Sequence, residues 1–174
     1  MAYREYIHTP VTPRDMKWGL TQGAIAGIVA GIVFAAFEMM ASAFMMGAEA
    51  FFMPLRMIGA ILLGPDALDP GYSLVIAGVA GAVVHMILSV IYGVIFGEIA
   101  TVLRGSTAFI AAASVFGFAL WLINFYVIAP LAFPWFLDSS PLVQFIGHTF
   151  FFGSALGYYL WKSHQRSGLE APAD

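Results

Sequence analysis

The sequence predicts an all-α integral membrane protein: a four-transmembrane-helix bundle with an interfacial segment in the first outer loop, one membrane domain over residues 1–174. Two observations carry this reading. Only 10% of the 174 residues are charged and 61% are hydrophobic, with a mean hydropathy of +0.88. A water-soluble domain of this size carries about a quarter charged residues. So few charges cannot cover a water-facing surface, whereas lipid as the outer solvent removes the deficit. The second observation is that four apolar stretches each exceed the roughly 20 residues needed to cross a bilayer core. They run over about 18–46, 72–103, 107–129 and 142–161. A spanning segment must satisfy its backbone internally, so these are helices. The short alternating segments of a β-barrel are missing.

Each element has its local signals. Thr12-Pro13 and Ser140-Pro141 place a capping hydroxyl before a proline ahead of the first and fourth spans, and Asp69-Pro70 a capping carboxylate ahead of the second. Ser106 and Thr107 are candidate caps for the third span, which Pro130 and Pro134 close. Trp18, Tyr72, Trp135, Tyr158, Tyr159 and Trp161 fall near predicted ends, where amphipathic rings favour the headgroup level. Ala48-Glu49-Ala50 resembles a cleavage site, but the apolar stretch before it is about twice the length of a signal peptide's core, so the first span is read as retained. Residues 50–64 are apolar yet too short to span; they read as an interfacial or re-entrant helix. Residues 130–137 read as a second interfacial lid.

Orientation follows from Lys and Arg. Arg4, Arg14, Lys17, Arg104, Lys162 and Arg166 fall on one side, and Arg56 alone on the other with Glu49, Asp66, Asp69 and Asp138. The positive-inside rule then places both termini in the cytoplasm of a multi-pass protein, in the bacterial cytoplasmic (inner) membrane.

Small residues mark the packing faces. Gly23, Gly27 and Gly31 repeat every four residues, as do Gly93 with Gly97 and Gly153 with Gly157. That spacing places them on one helix face and lets backbones approach closely. A loose internal echo relates His85, Tyr92, Gly93 and Gly97 of the second span to His148, Gly153 and Gly157 of the fourth, as two parallel repeats would.

Intramembrane polar residues are the better guide to chemistry, because they are costly there. At a rise of about 1.5 Å per residue, Glu38, Asn124 and His148 lie about 8–12 Å below the outer ends of their spans, and His85 about 20 Å below. Glu38, Asn124, Gln144 and His148 form an expected polar cluster. Its simplest role is to pin the bundle. Sharper alternatives are a divalent metal or proton-handling site from Glu38, His85 and His148, and a haem b held between His85 and His148. Arg56 is the only outer cation available to haem propionates. Six outer methionines (Met39, Met40, Met45, Met46, Met53 and Met57) suit adaptable packing or, less readily, Cu(I). Glu98 is expected to pair with Arg104 or reach water, and His8 and His164 to be solvated.

Much is excluded. With no cysteine there is no disulfide, thiolate nucleophile or thiolate metal site. The net charge of −3 with scattered Lys and Arg argues against nucleic acid as a partner. There is no Gly-Lys-Ser/Thr phosphate loop, no Gly-x-Ser-x-Gly elbow and no His-Glu-x-x-His.

Over His85 to Gly97, Gly117 to Pro130 and His148 to Gly157, the chain resembles small bacterial four-helix membrane proteins. In these a histidine and an aromatic-glycine pair recur in the second and fourth spans, and a Trp precedes a proline in the third. Phe152-Gly153 departs in spacing from Tyr92-Gly93. The resemblance covers about residues 19–161, implies the topology and brings no activity. The expected function is a non-catalytic accessory subunit of a larger bacterial membrane complex, respiratory or otherwise electron-transferring, with lipids and other membrane subunits as partners and no soluble substrate. The alternatives are a haem- or metal-binding redox subunit using His85 and His148, and a small channel or transporter using Glu38, Asn124 and His148.

Overall fold

The computed structural model describes residues 11–168, all of whose regular structure is helical. Helix α1 spans Pro13–Met46, α2 Met53–Leu63, α3 Leu74–Ala100 and α4 Gly105–Ala132. Helix α5 covers residues 141–167 as three consecutive pieces: α-helical Pro141–Ile146, a π-helix over Gly147–Ser154, and α-helical Ala155–Ser167. Single 3₁₀ turns at Ala48–Ala50, Pro65–Leu68 and Pro134–Asp138 fill the loops.

Three helices, α1, α3 and α4, are long and apolar enough to cross a membrane. The fourth expected span is helical but is not among these three. It dilutes its apolar run with Gln144, His148, Thr149 and Ser154. Helix α5 nevertheless brings the chain back beside its start: Arg14 Nη2 donates to the Ser167 carbonyl at 3.1 Å, and Ser163 Oγ donates to Gln22 Oε1 at 2.8 Å.

The helices pack through backbone rather than through large side chains. Along α3, Ala77, Gly81, His85, Ser89, Gly93 and Gly97 are buried at intervals of four, and on the opposite face Val75, Val79, Val83, Ile87, Ile91 and Ile95 are exposed. Small residues inward and β-branched residues outward is the arrangement of a helix in lipid, where close backbone approach drives association. Gly19, Gly23 and Gly27 of α1 oppose Gly97, Gly93 and Ser89 of α3, an antiparallel register; a Cβ on Gly23 would lie 2.5 Å from the Gly93 carbonyl oxygen. Helices α4 and α5 repeat the pattern, with Gly117 against His148, Gly153 against Ala113 and Gly157 against Phe109. Ser154 reinforces it by donating to Ser114 Oγ at 2.8 Å, since the Ser114 proton goes to the Ile110 carbonyl. Helix α1 also packs along α5, whereas α3 and α4 barely touch. The order around the bundle is therefore α3, α1, α5, α4.

Helix α2 falls in the segment expected to be an interfacial or re-entrant helix. Gly59 sits against Ala77 and Leu55 against Gly81, so α2 runs antiparallel along the first turns of α3. Glycines allow this, because the two backbones meet without intervening side chains. Arg56 fixes its far end by donating to the carbonyls of Asp69 at 2.8 Å and Tyr72 at 3.1 Å.

The local signals hold in part. Thr12 and Asp15 form a capping box at α1, with Asp15 Oδ2 accepting from the Thr12 amide at 2.9 Å. Ser73, not Asp69, caps α3. Helix α4 starts at Gly105, with φ of 75° at that residue, so Ser106 and Thr107 lie inside it. Pro130 does not end α4. It lacks the amide that would bond the Tyr126 carbonyl, and the helix widens into a π turn over Asn124–Ile128 before continuing to Ala132.

Candidate functional site

The four expected polar residues line one cavity of about 810 Å³ at the loop end of the bundle. Its walls come from α1, α2, α3, the π turn of α4, the 134–138 turn and the start of α5. Below it the bundle is filled by a core that includes Trp18, Phe96, Phe109, Phe152, Leu156 and Leu160. The cavity therefore lies at one end of the bundle, and the packed core lies between it and the end where α1 starts and α5 finishes. Above it Trp135 is held by its indole N–H donating to the Met57 carbonyl at 3.0 Å, which ties the expected lid to α2.

The polar groups on the wall form a chain. Gln144 Nε2 donates to Glu38 Oε2 at 2.7 Å, and the main-chain carbonyl of Gln144 accepts from His148 Nδ1 at 2.8 Å. Glu38 and His148 thus meet through Gln144 rather than directly. A carbonyl can only accept, so Nδ1 of His148 carries a proton and Nε2 of the neutral ring is an acceptor. His85 is placed likewise: its Nε2 donates to the Gly31 carbonyl at 2.9 Å, leaving Nδ1 as the acceptor. This bond comes from the packing face itself, because His85 occupies the four-residue line of small residues and lies over the exposed carbonyl of a glycine. Asn124 meets Tyr92 across the narrow contact between α4 and α3.

Glu38 is only 8% exposed, and its Oε1 has no hydrogen-bond partner. This oxygen lies so near Gly147 that a Cβ there would be 2.6 Å from it. Both histidines pack on one ring: the Phe34 centroid is 4.7 Å from that of His148 and 5.7 Å from that of His85. A macrocycle gripped by both imidazoles would have to share this space with Phe34. Arg56, the one outer cation, is engaged by backbone carbonyls. Among the described residues no three His, Asp or Glu side chains gather as a metal-holding group, so Glu38, His85 and His148 do not form a ligand triad.

Other expected residues take different places. Glu98 does not pair with Arg104: that guanidinium donates to the Thr101 and Leu103 carbonyls, while Glu98 Oε1 is buried against α1 beside Gly19 without a hydrogen-bond partner. His164 is buried between Trp18 and Phe109 rather than solvated. His8 lies outside the described residues. Five of the six outer methionines, all but Met40, line the cavity.

Sequence reasoning missed Phe34, Asp138 and the glycines at 59, 81 and 117. The glycines had a signal, since Ala77-x3-Gly81 and Ala113-x3-Gly117 share the spacing of the recognised faces. Phe34 and Asp138 had none, because nothing local separates them from neighbouring aromatic and acidic residues.

No family model, curated protein or solved structure matches the chain.

Proposed function

We propose that this chain is a membrane-embedded binding protein that holds a small, largely apolar molecule in the cavity at its loop end. One observation carries the reading. A cavity of about 810 Å³ with mostly apolar walls and a few convergent polar groups has the size and character of a small-molecule site. The two π-helical segments support it, because π turns concentrate at functional sites; they contribute Asn124, Phe125, His148 and Phe152 to the wall. The packed core beneath the cavity favours holding a ligand over conducting one.

Four spans with both termini in the cytoplasm belong to the same proposal. What supports them is α5, whose end lies beside the start of α1, and the clustering of Lys and Arg at that end. The wider setting we propose is the one composition suggests, a non-catalytic accessory subunit in a larger complex of the bacterial cytoplasmic membrane.

The test is isolation of the protein in lipid nanodiscs, with native mass spectrometry, an absorption spectrum and identification of co-purifying chains. A retained small molecule in fixed ratio to the chain is expected. It should be lost in Ile58→Trp, which fills the cavity from α2. Identical adducts on both proteins would overturn the binding reading, and a wild-type chain that co-purifies with no partner would overturn the accessory role.

A further inference from the structure

We propose that the molecule held in this cavity is an amphiphilic organic cation, a monovalent ammonium- or phosphonium-type centre on an apolar, aromatic-rich body. The inference rests on the binding reading above and names the ligand's charge.

The charges around the cavity are one-sided. Glu38 and Asp138 lie on its wall, and no Lys or Arg does. Glu38 is the deep group. It is more than nine-tenths buried, its Oε2 accepts one hydrogen bond from a neutral amide, and its Oε1 is closed off against Gly147 with no partner, so its charge would act on a ligand across the wall. An ionised carboxyl so placed lacks a counter-charge, and a carboxyl in hydrocarbon is otherwise costly. The chain supplies no cation here, so the ligand can.

The histidines do not reverse this balance. Each gives a ring N–H to a backbone carbonyl, which leaves the second nitrogen of the neutral ring an acceptor. Both histidines thus face the cavity as acceptors, and the only formal charges on its wall are carboxyls, which suits a positive centre and disfavours a carboxylate or phosphate.

The remaining wall suits the rest of such a molecule. Phe34, Tyr92, Phe125, Phe136 and Trp135 line the cavity too, and aromatic rings attract cations through their quadrupoles. The methionines beside them adapt to apolar bodies of different shape. Access matches as well. Asp138 is exposed at the rim, Glu49, Asp66 and Asp69 are exposed on neighbouring loops, and the only cation among these loops, Arg56, is tied to carbonyls. An acidic rim raises the local concentration of cations.

Two ions of nearly the same shape and opposite charge decide the matter: tetraphenylphosphonium and tetraphenylborate, titrated calorimetrically into the nanodisc protein, with empty nanodiscs subtracted. Saturable binding of phosphonium at one site per chain is expected, about tenfold or more tighter than borate. Glu38→Gln keeps the hydrogen bond to Gln144 and the side-chain shape, and should weaken phosphonium by about tenfold or more; gel filtration and thermal unfolding report whether it folds. The exposed Asp138→Asn should slow phosphonium association without abolishing binding. Equal affinity for both ions, or unchanged phosphonium affinity in folded Glu38→Gln, overturns the cation assignment and leaves the binding reading standing. Absence of binding by both ions, with no retained molecule lost in Ile58→Trp, overturns the two together. The comparison of ions on the wild-type chain needs no variant.

Discussion

Gln144 supplies the one hydrogen bond that Glu38 receives. Its side-chain amide donates to Glu38 at 2.7 Å, while its main-chain carbonyl accepts the His148 proton at 2.8 Å. Removing the amide leaves the Glu38 carboxyl without any partner in an apolar wall. Gln144→Leu should therefore destabilise the folded protein by about 1–2 kcal/mol, the upper range for an interhelical polar contact in a membrane. Leu142→Val, on the exposed side of the same helix, should change little. Thermal unfolding of both variants in one detergent checks this, and a Gln144→Leu protein that melts with the wild type would show that the contact contributes nothing. The same scale explains why His85 is ambiguous in the sequence: it obeys the packing period of α3 and lines the cavity at once.

At the scale of the element, α2 shapes the cavity, because Leu55, Met57, Ile58 and Ile61 lie on its wall. It is seated by glycines, and two glycines of α3 separate seating from simple helix propensity. Gly81 faces the Leu55 backbone, whereas nothing lies within 4 Å of a Cβ on Gly78. Gly81→Leu should displace α2 and cost about 1–3 kcal/mol or more, and Gly78→Leu should stay within about 0.5 kcal/mol of wild type. Thermal unfolding, with proteolysis across residues 47–73 as a second readout, distinguishes them. Equal behaviour of the two variants would refute the seating of α2 on α3. The π segments follow the same logic of local cause: Pro130 lacks an amide, and Gly147 and Gly153 lie within the wider turns of α5.

For the whole molecule, the meeting of α5 with the start of α1 requires both ends of the described chain to lie on one side. The natural chain has no cysteine, so single cysteines report cleanly. In intact cells, Gly168→Cys should resist an impermeant thiol reagent and Asp66→Cys should react. The reverse pattern would invert the orientation, and labelling of both would leave α5 outside the membrane. Tyr3→Cys should behave as Gly168→Cys does.

Membrane character, helical class and the small-residue faces are legible in the sequence because each depends on local quantities: length, charge density and a spacing of four. Gly23, Gly27, Gly93, Gly97, Gly153 and Gly157 announce close packing without naming the partner helix. Depth along a helix is local too, which is why Glu38, Asn124, Gln144 and His148 could be grouped before any coordinates. Which of them touch was settled only by tertiary structure. Contact depends on how each helix is rotated and which helix stands beside it, and neither is written in a single segment. So Glu38 meets His148 only through Gln144, Arg56 holds carbonyls, His164 is buried, and α2 stands against α3. The cavity itself is the clearest case, since its wall draws on five helices.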